Sequence, residues 1–185
     1  MFKRYLSAEL LRSLGSVLQW LPLLAIPLVV MTVLFSSFAS SAKDATGVLG
    51  WQSMFITGMY APLIALFATV LEHREARTRS GGTLWRRVNP HYEQASRFLV
   101  ILTSLAAFHL LNFGVSWAVV ALQGRANHQL LLVAGVYSFL GAIGIAGLAA
   151  AGARRCGLAA ALVAGIVWQP VSYTHLRAHE TPEHL

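Results

Sequence analysis

Five apolar runs set the pattern of this chain, and one long polar stretch divides them. Trp20 to Phe38 carries no charge, and neither does Trp51 to Leu71. Phe98 to Leu122 and Leu130 to Ala153 follow, and a shorter run extends from Cys156 to Trp168. A helix rising about 1.5 Å per residue needs about 20 apolar residues to cross a hydrocarbon core of about 30 Å. The first four runs meet that length and the fifth falls short. The pattern predicts an all-α fold, a polytopic membrane helix bundle with four full transmembrane helices and a truncated fifth. Pro22 and Pro27 are expected to kink the first span and Pro62 the second, because each lacks a backbone N–H. Gly141, Gly144 and Gly147, with Gly135 and Ala151 nearby, form a small-residue face on the fourth, where helices approach closely.

Ahead of the first span, Phe2, Leu6, Leu10, Leu14 and Leu18 recur every four residues. Lys3, Arg4, Ser7 and Arg12 lie off that line. The spacing predicts an amphipathic helix lying in the membrane interface. The alternative is a ragged start to span one.

Composition sharpens the membrane reading. The 185 residues are 56% hydrophobic and 11% charged, yet the formal charge is +7. A soluble domain carries about 25% charged residues. Long uncharged stretches argue against a nucleic-acid binder, whose basic residues spread over a solvated surface. Cys156 is the only cysteine, so the chain has no disulfide of its own. The first apolar run exceeds a signal-peptide core of about 7–15 residues and is read as a retained span.

Charge also fixes orientation. Lys3, Arg4 and Arg12 precede span one, and Lys43 and Asp44 cancel after it. Arg74, Arg77, Arg79, Arg86, Arg87 and Arg97 lie between spans two and three. Arg125 follows span three, and Arg154 and Arg155 follow span four. The basic segments alternate, which places the N-terminus, the 72–97 loop and the Arg154–Arg155 turn in the cytoplasm.

That loop reads "LEHREARTRSGGTLWRRVNPHYEQASRF". Ser80-Gly81-Gly82 is a flexible break. Thr83 can cap a short helix through Leu84, Trp85, Arg86 and Arg87. Asn89-Pro90 ends it and starts the next helix, with Asn89 as cap and Pro90 at its first position. Trp85 flanked by arginines suits a protein–protein contact. It equally suits a basic loop drawn to anionic headgroups, with the indole dipping into the interface.

An amphipathic N-terminal helix, two spans, then Glu72, Gly82, Thr83, Leu84, Trp85, Pro90 and Arg97 entering span three resembles the permease subunit of ABC-2 type transporters. Within that group, "LEHREARTRSGGTLWRRVNP" and "GWQSMFITGMYAPLIALF" are most similar to the lantibiotic (bacteriocin) immunity permeases. The likeness covers about residues 1–120, with the Arg-rich Gly-Gly insertion as a departure. It implies six spans in the intact protein, a bacterial plasma-membrane location and a second permease subunit, identical or paralogous. It also implies a separate ABC ATPase subunit carrying ATP and Mg. Glu72, Gly82, Thr83, Leu84, Trp85, Arg86, Arg87 and Pro90 would then form the coupling element seated on that ATPase. The transported molecule would be a lantibiotic-like peptide. The alternatives are an ABC-2 permease for a drug, lipid or glycan, or a non-transport membrane anchor or regulator.

An ATPase needs GxxxxGK[ST]. The only lysines, Lys3 and Lys43, follow no such loop, so the chain has no cofactor site of its own and is not read as an enzyme. Glu72 and His73 are the one carboxylate–base pair beside the membrane, and adjacent helical residues do not face each other. Inside span three, His109, Asn112 and Ser116 follow i, i+3, i+7 spacing and share a face. They fit either a translocation path or interhelical hydrogen bonds. A lone imidazole does not make a metal site.

The end of the chain differs in kind. Residues 171–185, with His175, His179 and His184, resemble a translated sequencing adapter. They are set apart from residues 1–170, the transmembrane domain, and the fifth span is expected to be interrupted there.

Overall fold

The computed structural model describes residues 2–38, 45–77 and 89–167. Every regular element among them is helical. The order is α1 (Phe2–Ser13), two 3₁₀ turns (Val17–Gln19 and Leu21–Leu24), α2 (Ala25–Phe38), α3 (Thr46–Gly58) and α4 (Tyr60–Arg77). Then come α5 (Pro90–His109), a π turn (Leu110–Gly114), α6 (Val115–Leu122) and α7 (Gln129–Cys156). A last helix, α8, covers Leu158–Val167.

Two helical stretches are long and apolar enough to cross a membrane. Pro90–Leu122 runs through α5, the π turn and α6, and Gln129–Cys156 is α7. A third arises if the bent pair α3 and α4 counts as one span. Leu21–Ser37 and Leu158–Val167 are apolar but shorter.

The run expected to kink at Pro62 is broken into two helices, bent by 56° between Gly58 and Tyr60. Pro62 accounts for it. The proline has no N–H for the Gly58 carbonyl four residues back, and its ring crowds that carbonyl. The chain resumes with Leu63 N donating to Met59 O at 3.2 Å. The first span also differs from expectation. Pro22 lies in a 3₁₀ turn and Pro27 in the first turn of α2, where a missing N–H costs nothing. These prolines delay the start of the helix and do not kink its middle.

The core is built where α4 and α5 meet α7. Ile64, Phe67, Ala68 and Leu71 on α4 pack with Ile101, Leu105 and Phe108 on α5. Ala142, Ala146, Ala149 and Ala150 of α7 close the layer. The small residues that let α7 approach are thus mainly alanines. Gly141 and Gly144 face open space, whereas a Cβ on Gly135 would fall 2.8 Å from Phe113 Cβ. α8 turns back at Gly157, whose φ of +87° favours glycine. It then lies against α4, where Gly165 meets Ala65.

α1 is the predicted N-terminal helix, but it buries a different face. Glu9 and Ser13 point inward, with Phe2, Tyr5 and Leu6 half-buried, while Leu10, Leu11 and Leu14 are exposed. Phe2 and Tyr5 pack on Tyr92 of α5. The inward stripe is set by partners on α4 and α5, which a helical-face count does not contain.

Candidate functional site

The predicted coupling residues Gly82, Thr83, Leu84, Trp85, Arg86 and Arg87 lie outside the described residues, as do the tail histidines. Glu72 and Pro90, which bracket that segment, are in place. So is the cap: Asn89 Oδ1 accepts from His91 N at 3.0 Å, with Pro90 opening α5. The Asn89 backbone N–H also donates to the Tyr5 hydroxyl at 3.2 Å, tying the start of α5 to α1.

Glu72 is the centre of an ionic lattice at this end of the bundle. It is 7% exposed. Its Oε1 accepts from Arg154 Nη1 on α7 at 2.6 Å, and its Oε2 lies 4.0 Å from Arg97 Nη1 on α5. Arg97 also bonds Glu93 one turn earlier on α5. An acid placed N-terminal to a base at i, i+4 is the favourable order. A second knot lies beside the first. Buried Glu9 on α1 pairs with Arg74 on α4 and with Arg12 at 3.6 Å. Arg74 also donates to the Arg12 carbonyl at 3.1 Å. A carboxylate this buried is tolerated only when paired and hydrogen-bonded. The two knots join α1, α4, α5 and α7 at the end of the bundle where α4 closes and α5 opens. The basic residues of the loop ends and of the Arg154–Arg155 turn thus share one end of the molecule.

The opposite end is tied differently. Arg125 donates to the Ser36 carbonyl, Gln123 Nε2 reaches Ser36 Oγ at 3.4 Å, and Ala45 N donates to Ala126 O at 3.1 Å. The end of α2, Ala45 ahead of α3 and the turn after α6 therefore meet there.

Between the ends, the trio expected on one face of span three is divided. Asn112 Nδ2 donates to Gln52 Oε1 at 3.1 Å. Gln52 Nε2 lies 3.3 Å from Asn112 Oδ1, 3.4 Å from Ser116 Oγ and 3.2 Å from Thr32 Oγ1. Ser116 Oγ also donates to the Asn112 carbonyl at 2.5 Å. These four side chains from α2, α3, the π turn and α6 are buried. His109 belongs to another contact. Its Nδ1 bonds the Leu105 carbonyl at 2.7 Å, and its Nε2 is 2.6 Å from the hydroxyl of Tyr60, which also bonds the Ser138 carbonyl. The π turn separates the two sets, because i→i+5 winding takes an extra residue and rotates the helix beyond it. Phe113, Phe108 and Phe139 surround the imidazole. Both clusters join helices, which fits interhelical hydrogen bonding.

Four participants were missed in the sequence. Gln52 and Thr32 were visible as polar residues inside apolar runs. Tyr60 and Glu9 were visible only as residue types, since their partners lie on helices distant in sequence. Among the described residues, no group of three His, Cys, Asp or Glu side chains is placed to hold a metal. No family model, curated protein or solved structure matches the chain.

Proposed function

We propose that this chain is the membrane-spanning permease subunit of an ABC-2 type transporter. In this reading α2, the bent α3–α4 pair, α5–α6 and α7 cross the bacterial plasma membrane, and α8 begins a fifth crossing. The arginine-rich end faces the cytoplasm, as the positive-inside rule requires, and α1 lies along that surface with Leu10, Leu11 and Leu14 toward the lipid. The 78–88 segment docks on a separate ATPase that binds ATP and Mg. A second permease subunit completes the assembly, and the cargo is a lantibiotic-like peptide expelled for self-immunity.

One observation carries the reading furthest. Glu72, in the C-terminal part of α4, is bonded to α7 through Arg154 and lies beside Arg97 of α5. A push on the loop would therefore reach three helices together, and coupling requires a packed element that responds as a unit.

The test is co-purification. The tagged chain, produced with a Walker-motif ATPase found beside its gene, should bring that ATPase down in detergent, and the lack of any such neighbour would count against the reading. Replacing residues 78–88 with a Gly-Ser linker should abolish recovery while the helical content stays unchanged. Undiminished recovery with the linker would reject the loop as the docking element. For the cargo, deleting the gene should sensitise the host to its own lantibiotic, and unaltered resistance would reject that substrate.

A further inference from the structure

A second feature of the basic end shares the Glu72–Arg154 pair and extends beyond it. Between α5 and α7 lies a cavity of about 350 Å³, within the usual range for small-ligand sites. Its polar floor is the Glu72–Arg154 ion pair, and His91 and Gln94 stand on its rim. Its wall is apolar, formed by Phe98 on α5 and Gly147 on α7 among others. A Cβ at Gly147 would make ordinary contact with the Phe98 ring at 3.9 Å, so a longer side chain there would enter the cavity.

We propose that the cavity binds the phosphate headgroup of an anionic amphiphile, with an acyl chain lying along Phe98 and Gly147. The Arg154 side chain is 39% exposed, and it spends a single Nη1 contact on Glu72. A guanidinium has five N–H donors in a planar fork that matches phosphate oxygens, so most of the fork is open toward the cavity. Arg155 follows Arg154 in the last turn of α7 and adds positive charge beside the ion pair. Polar floor and greasy wall meet at the helix ends, where a bilayer places its headgroups. Basic pockets between membrane helices hold anionic lipid headgroups for the same reason. The inference rests on the bilayer reading and not on transport, and no ATPase enters its test.

The full chain, purified in detergent, is incubated with phosphatidylglycerol, with phosphatidylcholine or with inorganic phosphate, and bound molecules are counted by intact-protein mass spectrometry. One phosphatidylglycerol should be retained at least tenfold better than phosphatidylcholine. Gly147→Leu, which fills the cavity and leaves the ion pair alone, should cut retention about tenfold. Arg154→Gln should do the same and erase the preference for the anionic lipid. Equal retention of both lipids, or retention unchanged by Gly147→Leu, would overturn the proposal. Inorganic phosphate bound in a manner indifferent to Gly147→Leu would overturn it too, in favour of a free-anion site.

Discussion

Arg154, in the last turn of α7, donates to the buried carboxylate of Glu72 near the end of α4, 82 residues earlier in the chain. The pair fastens the C-terminal part of α4 to the last turn of α7. Glu72→Gln should lower stability by about 1–3 kcal/mol, since it removes the buried negative charge that Arg154 and Arg97 both face while their own charges stay. Arg154→Gln should cost less, on the order of 1 kcal/mol, because its guanidinium is partly solvated and Arg97 still faces Glu72. Thermal unfolding in detergent measures both. A larger loss from Arg154→Gln than from Glu72→Gln would contradict this ranking.

Gln52 and Asn112 bond each other through both ends of their amides. Each single change to Leu strands a buried polar partner, so each should destabilise. The double change Gln52→Leu with Asn112→Leu should recover part of the loss. The coupling in a double-mutant cycle should be about 0.6 kcal/mol and no more than about 1.7. Additive effects would mean that the two amides do not meet.

The glycines of α7 should separate into two kinds. Gly135→Ala places a methyl 2.8 Å from Phe113 Cβ and should cost about 1–3 kcal/mol through overpacking. Gly141→Ala and Gly144→Ala meet no atom within 4 Å. Each should be neutral or stabilising by up to about 1 kcal/mol, as expected for alanine within a helix. Melting temperatures of the three variants decide the point, and a common sign for all three would show that α7 is seated differently.

These contrasts mark how far the sequence could be read. The expected fourth span, Leu130–Ala153, became α7 at Gln129–Cys156, because a long uncharged run bounded by polar residues has few other outcomes. The Asn89-Pro90 start of α5 was equally legible, since capping is local chemistry. Pro62 announced a bend in span two, but a proline alone does not say whether a helix bends or breaks. The division of His109 from Asn112 and Ser116 was not legible, because spacing arguments assume 3.6 residues per turn and the π turn departs from it. Nor was the burial of Glu9. Its partner Arg74 lies on another helix, 65 residues further along the chain. Glu72 was singled out through resemblance, whereas its partnership with Arg154 is a tertiary fact.

The central claim is that the loop after Glu72 passes the work of a separate ATPase to the helices. The most direct measurement is ATP hydrolysis by the ATPase that the co-purification identifies, reconstituted with this chain in liposomes. The unaltered chain should stimulate hydrolysis. Trp85→Ala and Leu84→Ala should each reduce that stimulation at least tenfold, while lipid insertion and thermal stability remain unchanged. Stimulation that survives both substitutions intact would contradict the account.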